Sequence, residues 1–546
     1  MTAAASDRPF LDVARSVTGR TWRDRLDRGT TNTALAIAER FDIPELVARV
    51  LAARGVGLAE AEGYLDPTLK GLLPDPARLT DMEAAAARIA DAVERRESIA
   101  VFGDYDVDGA TSSALLGRFL RALGVEPRIY IPDRIFEGYG PNPAAIDALA
   151  DDGAGLIVTV DCGVTSFEAL ERARARGVDV VVLDHHQVGE TLPPAVAIVN
   201  PNRADDLSGE EHLAAVGVSF LAAVAINREL RRRGFFAGRA EPDLLALLDL
   251  VALGTVADVV PLRGVNRAFV VKGLVPLRRR ANPGLAALQD VARLTGPAAP
   301  YHLGFLLGPR INAGGRIGDA ALGARLLMCD DPDEAAAIAL RLDQLNAERQ
   351  AIEAETLAAA DAEAAAEIGD GPGPSVLVTV GADWHPGVVG LVASRLKDRW
   401  RRPTFAVAMA GETGTGSGRS LPGVDLGRAV RDAVTAGILE KGGGHAMAAG
   451  ITVRRGALIE FRAFLEERLG ADVAAARSRD ALKIDGAMTA AGASLDFMAT
   501  IERAGPFGAG HPEPVFAFPA HRVAFADRVG QNHIRLSLSS STGASL

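Results

Sequence analysis

Between residues 98 and 200, short apolar runs alternate with helical stretches, and no other feature narrows the possible folds as much. "SIAVFG", "PRIYIP", "GLIVTVDCG", "VDVVVLDHH" and "AVAIVNP" read as strands, and "SALLGRFLRALG", "PAAIDALADDG" and "SFEALERARARG" as helices among them. Strands that are apolar along their whole length are covered on both faces, so the expectation is a doubly wound parallel α/β sheet. In such sheets ligands gather beyond the carboxyl ends of the strands. The acids fall there. Asp104, Asp106 and Asp108 follow "IAVF", Asp161 ends "LIVTV", and Asp184, His185 and His186 end "VDVVVL". Asp258 of "GTVADVV" is a candidate fourth contributor.

Taken singly, an Asp after a strand is ordinarily a turn former or helix cap. Several carboxylates aimed at one rim are different, because like charges repel unless a cation lies between them. Oxygen ligands with one or two imidazoles suit Mn²⁺ or Mg²⁺ better than zinc. The two cysteines, Cys162 and Cys329, lack metal-type spacing and read as reduced thiols. So many carboxylates would overfill one ion. Two ions about 3.5–4 Å apart, bridged by one Asp, use them better, and such a pair activates water and stabilises charge on a phosphoryl group.

At 546 residues the chain implies three or four domains. A net charge of −11 argues against a broadly basic surface but leaves room for a local positive groove. The N-terminus lacks the apolar core of a signal peptide. No apolar run of about 18 residues is present, so the expectation is a cytoplasmic protein without membrane spans. The stretch from "DDPDEAAAIAL" to "AEAAAE" has no Gly or Pro after its first turn and reads as one connecting helix of roughly 35 residues. A second α/β segment then begins with "SVLVTVG", "GVVGLVASRLKDRW" and "TFAVAMAG". Short strands such as "HRVAFADRVG" and "HIRLSLS" follow. The expected divisions are a helical segment over 1–75, a catalytic domain over 76–280, a helical connector over 281–370, a second α/β domain over 371–472 and a small β-domain over 473–546.

"DYDVDG" with "DHH" resembles the DHH phosphoesterase superfamily, and "GGGHAMAAG" resembles its associated C-terminal domain, DHHA1. "PDRIFEGYG", "GTVADVVPL", "GPRINAGGRIGD", "WHPGVVGLVASRL", "GSGRS" and "GPFGAGHPEP" narrow the resemblance to the RecJ family of single-strand-specific 5′→3′ DNA exonucleases. The resemblance implies metal ligands at Asp104, Asp106, Asp108, Asp161, His185 and Asp258, with Asp161 as the bridge. It implies catalytic roles for His186, near the scissile phosphate, for Asp184, which fixes a histidine tautomer, and for His445, expected to face the metals. It implies substrate-binding roles for Arg134, Arg310, Asn312, Ser417, Arg419, Gly443 and Gly444. The product would be a 5′-mononucleotide, released during DNA repair and recombination. The partners implied are single-stranded DNA, a single-strand-binding protein and a RecQ-type helicase, for a monomeric enzyme. Two alternatives stand beside this reading. One is a DHH-family phosphoesterase acting on short oligonucleotides, cyclic dinucleotides or pyrophosphate. The other is a non-catalytic replication scaffold, which loss of metal ligands would mark.

Two departures from the family pattern stand out. His511 occupies a position where the family usually has Asn, far in sequence from the metal motifs. "SSSTGASL", at 539–546, is polar and unlike a closing strand, so the expected oligonucleotide-binding (OB-like) β-barrel would be incomplete.

Overall fold

The computed structural model describes residues 8–134, 136–530 and 533–546. The first seven residues of the stretch read for a leader, and Ile135 of "PDRIFEGYG", lie outside them. The described chain divides into two compact units.

The first unit opens with strand β1 (Thr21–Asp24) and helices α1 (Arg28–Phe41) and α2 (Glu45–Ala52). Asp27 starts α1 by accepting the Thr30 backbone N–H at 2.8 Å, an N-cap that satisfies one orphan donor of the first turn. After α3 (Met82–Arg95) come β2 (Ile99–Gly103), α4 (Val107–Ala122), β3 (Arg128–Tyr130), α5 (Pro143–Asp151), β4 (Leu156–Val160), α6 (Phe167–Ala175), β5 (Asp179–Leu183) and β6 (Ala197–Val199). The strands pair in the order β3-β2-β4-β5-β6, all parallel. The period of two sorts their side chains. Ile99 and Val101 pack with α3 and α4, whereas Ala100 and Phe102 pack with α5 and α6. The chain leaves β2 for β3 on one side and later fills the other side with β4. That reversal opens a crevice beyond the ends of β2 and β4, where such folds bind ligands.

Helices α7 (Ala215–Arg232) and α8 (Leu248–Ala257) complete the inner layer, and α9 (Gly308–Ile317) follows a turn of π-helix over Leu303–Leu307. The long helix is present as α10 (Pro332–Ile368), 37 residues. Its residues up to Asp343 group with the first unit and the rest with the second.

The second unit holds β7 (Leu377–Gly381), α11 (Val389–Trp400), β8 (Thr404–Ala410), β9 (Thr413–Arg419), α12 (Leu426–Thr435), β10 (Lys441–His445), β11 (Ala448–Arg454) and α13 (Leu458–Ser478). Its sheet runs β10-β11-β9-β8-β7, with only β7 and β8 parallel.

The C-terminal segment belongs to the first unit. It forms β12 (Ala481–Ile484), β13 (Gly486–Ala487), α14 (Leu495–Ala504), β14 (Phe516–Ala517), β15 (Arg522–Val529) and β16 (His533–Ser539). Strand β12 pairs with β1, and Ile501 and Ala504 share a core with Ile37, Val47 and Leu51. Buried Asp485 takes Arg25 at 3.0 Å and also Arg54. The Tyr64 hydroxyl meets His511 Nδ1 at 2.8 Å, and His511 Nε2 meets the Ala504 carbonyl at 2.8 Å. Thus His511 ties the two terminal segments together. Among the described residues the C-terminal strands form two-stranded sheets, not a closed barrel. The β15–β16 hairpin leaves Val523, Phe525, Ile534 and Leu536 exposed.

Candidate metal centre

Each acidic side chain is delivered by a strand end or a helix end. Asp106 caps α4, its Oδ1 accepting from Asp108 N at 2.8 Å and Gly109 N at 3.1 Å. The tight β2–α4 turn needs glycine at 109, because a Cβ there would lie 2.3 Å from the Asp104 carbonyl oxygen. Asp108, in the first turn of α4, accepts from Ala215 N at 2.6 Å and Val216 N at 2.9 Å. It therefore serves the open N-terminus of α7, where an anion is favoured. Asp161 takes a left-handed backbone conformation at φ 61°, an arrangement that costs free energy and clusters at functional sites. Asp258 follows the last turn of α8.

The imidazoles are held from behind. His185 Nδ1 lies 3.0 Å from the Leu213 carbonyl. Donation there leaves Nε2 as a lone pair, 3.2 Å from Asp161 Oδ1, 3.6 Å from Asp258 Oδ2 and 3.9 Å from Asp108 Oδ2. His186 Nδ1 bonds Asp184 Oδ1 at 2.8 Å. The same Asp184 oxygen accepts from His185 N at 2.7 Å and His186 N at 3.1 Å, and Oδ2 accepts from Val164 N at 3.1 Å. Asp184 is thus a scaffold for the histidine pair, the carboxylate–histidine support common behind metal ligands.

Ligand atoms of Asp104, Asp106 and Asp161 lie within 4.8 Å of one another, as do those of Asp108, His185 and Asp258, and those of Asp161, His185 and His186. The protein alone does not satisfy this cluster. Asp104 Oδ1, Asp161 Oδ1 and His185 Nε2 are buried without a hydrogen-bond partner. Burial, then repulsion from neighbouring carboxylates, drives Asp104, Asp161 and Asp258 well above the ordinary carboxyl range. The same causes push Asp108 up to about 7. Burial, reinforced by His186, pushes His185 down to about 4 and keeps its imidazole neutral. For Asp184 burial works upward, but the bond from His186 prevails and holds it below the ordinary range. Buried acids that resist ionising, beside a neutral imidazole with a free lone pair, form a site that a divalent cation completes. The oxygen-rich donor set fits Mn²⁺ or Mg²⁺.

The other expected site residues divide between the two units. Arg134 stacks over Tyr105, its guanidinium 5.0 Å from the ring centroid, and its charge acts on Asp104. Arg310 is mostly buried and pairs with Asp343 at 2.9 Å and the Leu306 carbonyl at 2.7 Å, while Asn312 is half-buried on the same helix α9. Ser417, Arg419, Gly443, Gly444 and His445 belong to the second unit. There Arg419 donates to Ser417 Oγ at 2.8 Å. Arg419 and His445 both stand opposite Ala448, on the two strands flanking β11.

Sequence reasoning missed three supports. Tyr139 donates to the Asp161 carbonyl at 3.0 Å and lies 3.0 Å from His186 Nδ1. Asn200 donates to the His186 carbonyl at 2.9 Å and Asn202 to the His185 carbonyl at 2.5 Å. The only signals were "EGYG" and "NPN", which alone read as turns.

An acid–histidine cluster at the switch point of this sheet defines a DHH-type domain, and residues 98–255 match the DHH family, N-terminal domain. Residues 373–471 match the DHHA1 domain and 484–546 the RecJ OB domain. The single-stranded-DNA-specific exonuclease RecJ of Salmonella typhimurium is 39% identical, over 91% of this chain and 86% of that one. The Escherichia coli protein of the same name is 40% identical over the same shares. The crystal structure of Thermus thermophilus RecJ with Mn²⁺ superposes with a TM-score of 0.77 at 32% identity, covering 93% of this chain and 71% of that chain. Its Mg²⁺ complex gives 0.71 at 30% identity, over 93% of this chain and 69% of that chain. The chain belongs to the RecJ family.

Proposed function

We propose that this chain is a divalent-metal-dependent exonuclease that degrades single-stranded DNA from the 5′ end to 5′-mononucleotides in DNA repair and recombination. The observation that carries the reading is the set of orphaned buried atoms on Asp104, Asp161 and His185. In the two-ion assignment Asp104 and Asp106 would hold one ion, Asp108, His185 and Asp258 would hold the other, and Asp161 would be a ligand of both. Held by these residues, Mn²⁺ or Mg²⁺ would supply Lewis acidity to the phosphoryl oxygens and favour ionisation of the attacking water.

The chain's own residues do the rest. Asp184 fixes His186 through Nδ1, leaving Nε2 to meet an oxygen of the scissile phosphate. Arg134, stacked on Tyr105, is kept close to the cluster as a phosphate partner, and a guanidinium fork suits two phosphate oxygens. Arg310 would exchange Asp343 for phosphate, and Asn312 lies two residues further along α9. In the second unit, Ser417, Arg419, Gly443, Gly444 and His445 are assigned to substrate contacts, with His445 contributing to catalysis. Selection of single strands rests on backbone and stacking contacts that read no sequence. The reading includes a monomeric cytoplasmic enzyme that works with a single-strand-binding protein and a RecQ-type helicase.

The test uses DNA labelled at the 5′ or the 3′ end, single-stranded or duplex, with Mn²⁺, Mg²⁺ or EDTA. A labelled mononucleotide released at once from the 5′-labelled single strand, and only with metal, is expected. Release from the 3′ label first, or activity in EDTA, would overturn the proposal.

A further inference from the structure

A groove of the first unit begins one residue from the metal cluster. Ala257 and Val259 flank Asp258 in the chain, each Cα about 3.8 Å from that of Asp258, and both line a cavity of about 510 Å³. Val259 is 69% exposed and holds a left-handed conformation at φ 61°, an outlier for a β-branched residue. The strained Asp258–Val259 step therefore serves two sites, delivering a carboxylate to the cluster and a wall to the cavity. The far wall comes from the C-terminal segment, at Phe507, Gly508 and Ala509. A second cavity of about 620 Å³ shares Pro300, Tyr301, Phe507 and Glu513 with the first, so the two form one groove.

Its most unusual feature is an aromatic pair. Tyr301 precedes the π-helical turn by two residues and Phe305 stands at its middle, with ring centroids 5.0 Å apart and planes inclined by 23°. They are 58% and 68% exposed. Two large rings stacked on each other and open to water offer free π-faces, and nucleobases of any sequence stack on such faces. The charges suit bases rather than phosphates. Glu513 is the charged residue lining the first cavity, and in the second Arg267, Arg278 and Arg503 are matched by Asp66, Glu502 and Glu513. A strand held here would bury its bases and leave its phosphates to solvent.

We propose that the Tyr301–Phe305 groove is a base-stacking subsite for the single strand whose scissile phosphate lies at the metal cluster. The proposal rests on the reading of the chain as a nuclease on single-stranded DNA. Continuity through Asp258 favours DNA over a peptide, because a strand seated on the cluster has its neighbouring nucleotides near a wall that begins one residue away.

The test compares binding of single-stranded (dT)20 and an abasic strand of equal length and charge. Fluorescence anisotropy is read with Mn²⁺ in an Asp161→Ala background to prevent cleavage. The background protein should prefer the base-bearing strand by about five- to a hundredfold. Joint Tyr301→Leu and Phe305→Leu changes keep the apolar volume and should abolish most of that preference, with abasic affinity unchanged. Tyr301→Phe should retain it. An unchanged preference in the leucine pair would give the groove to a protein segment and overturn the proposal. Equal weakening on both strands would assign the rings to folding and overturn it too. Failure of both the background protein and the unsubstituted protein in EDTA to bind either strand would overturn the nuclease reading itself.

Discussion

Stripping the metal should make the first unit less stable as pH rises, and the metal should reverse that trend. Asp108 is fully buried, and its pKa moves from an ordinary value of 3.8 to about 7. The folded state therefore holds a proton that the unfolded chain releases near pH 4. Folded protein binds more protons than unfolded across that window, so stability falls as pH climbs. The contribution is complete below about pH 4 and lost by the time pH passes about 7, and a rise of this size corresponds to roughly 4 kcal/mol. Asp104, Asp161 and Asp258 shift in the same direction, and so add to the slope. A divalent cation binds the ionised carboxylates and makes ionisation favourable, so its stabilisation should grow over the same window. Thermal unfolding from pH 5 to 8.5, in EDTA and in Mn²⁺, reads both effects. In EDTA the transition of the first unit should fall by several degrees, and in Mn²⁺ it should hold or rise. Asp108→Asn should flatten the EDTA slope, whatever its effect on the absolute midpoint. An EDTA midpoint that stays level or rises with pH, with a Mn²⁺ increment independent of pH, would refute the reasoning.

Asp161→Ala should abolish hydrolysis while circular dichroism stays native, and calorimetry should find Mn²⁺ binding weakened; near-normal turnover at saturating Mn²⁺ would refute the bridging role. Arg419→Ala should weaken single-strand binding by about ten- to a hundredfold, the worth of one charge-assisted phosphate contact, without changing Mn²⁺ affinity in the same titration. Deleting residues after 480 should destabilise the first unit, because β1 loses β12 and α1 and α2 lose Ile501 and Ala504. Limited proteolysis should then cut within residues 20–65, and resistance there would show that the N-terminal segment folds alone.

The last expectation differs from a modular reading of the ends, and the reason is physical. Local periodicity announces a strand or helix but not a partner far away in the chain. The clustering of the acids and histidines was legible because several stand at strand ends of the parallel sheet, where topology alone brings them together. The supports behind them were not. Leu213 acts through its carbonyl, which has no side-chain signature, and Asn200 and Asn202 look like turn residues until His185 and His186 lie beside them. Asp108 carries a second duty on the backbone of Ala215 and Val216 that spacing within "DYDVDG" could not reveal. "HRVAFADRVG" and "HIRLSLS" were legible as strands and pair as a hairpin, but barrel closure depends on partners that strand propensity does not name. The departure at His511 proved to be a tether between the terminal segments, invisible without Tyr64 at its side.

That tether has a consequence for how the protein comes off the ribosome. Tyr64 and His511 are 447 residues apart in the chain. At about 5–20 residues per second, translation takes roughly 20–90 seconds to cover that distance. For that interval Ile37, Val47 and Leu51 have emerged, yet the Ile501 and Ala504 that cover them have not been made. The nascent chain thus carries an uncovered apolar surface through nearly the whole of its synthesis, a natural target for chaperones that guard growing polypeptides.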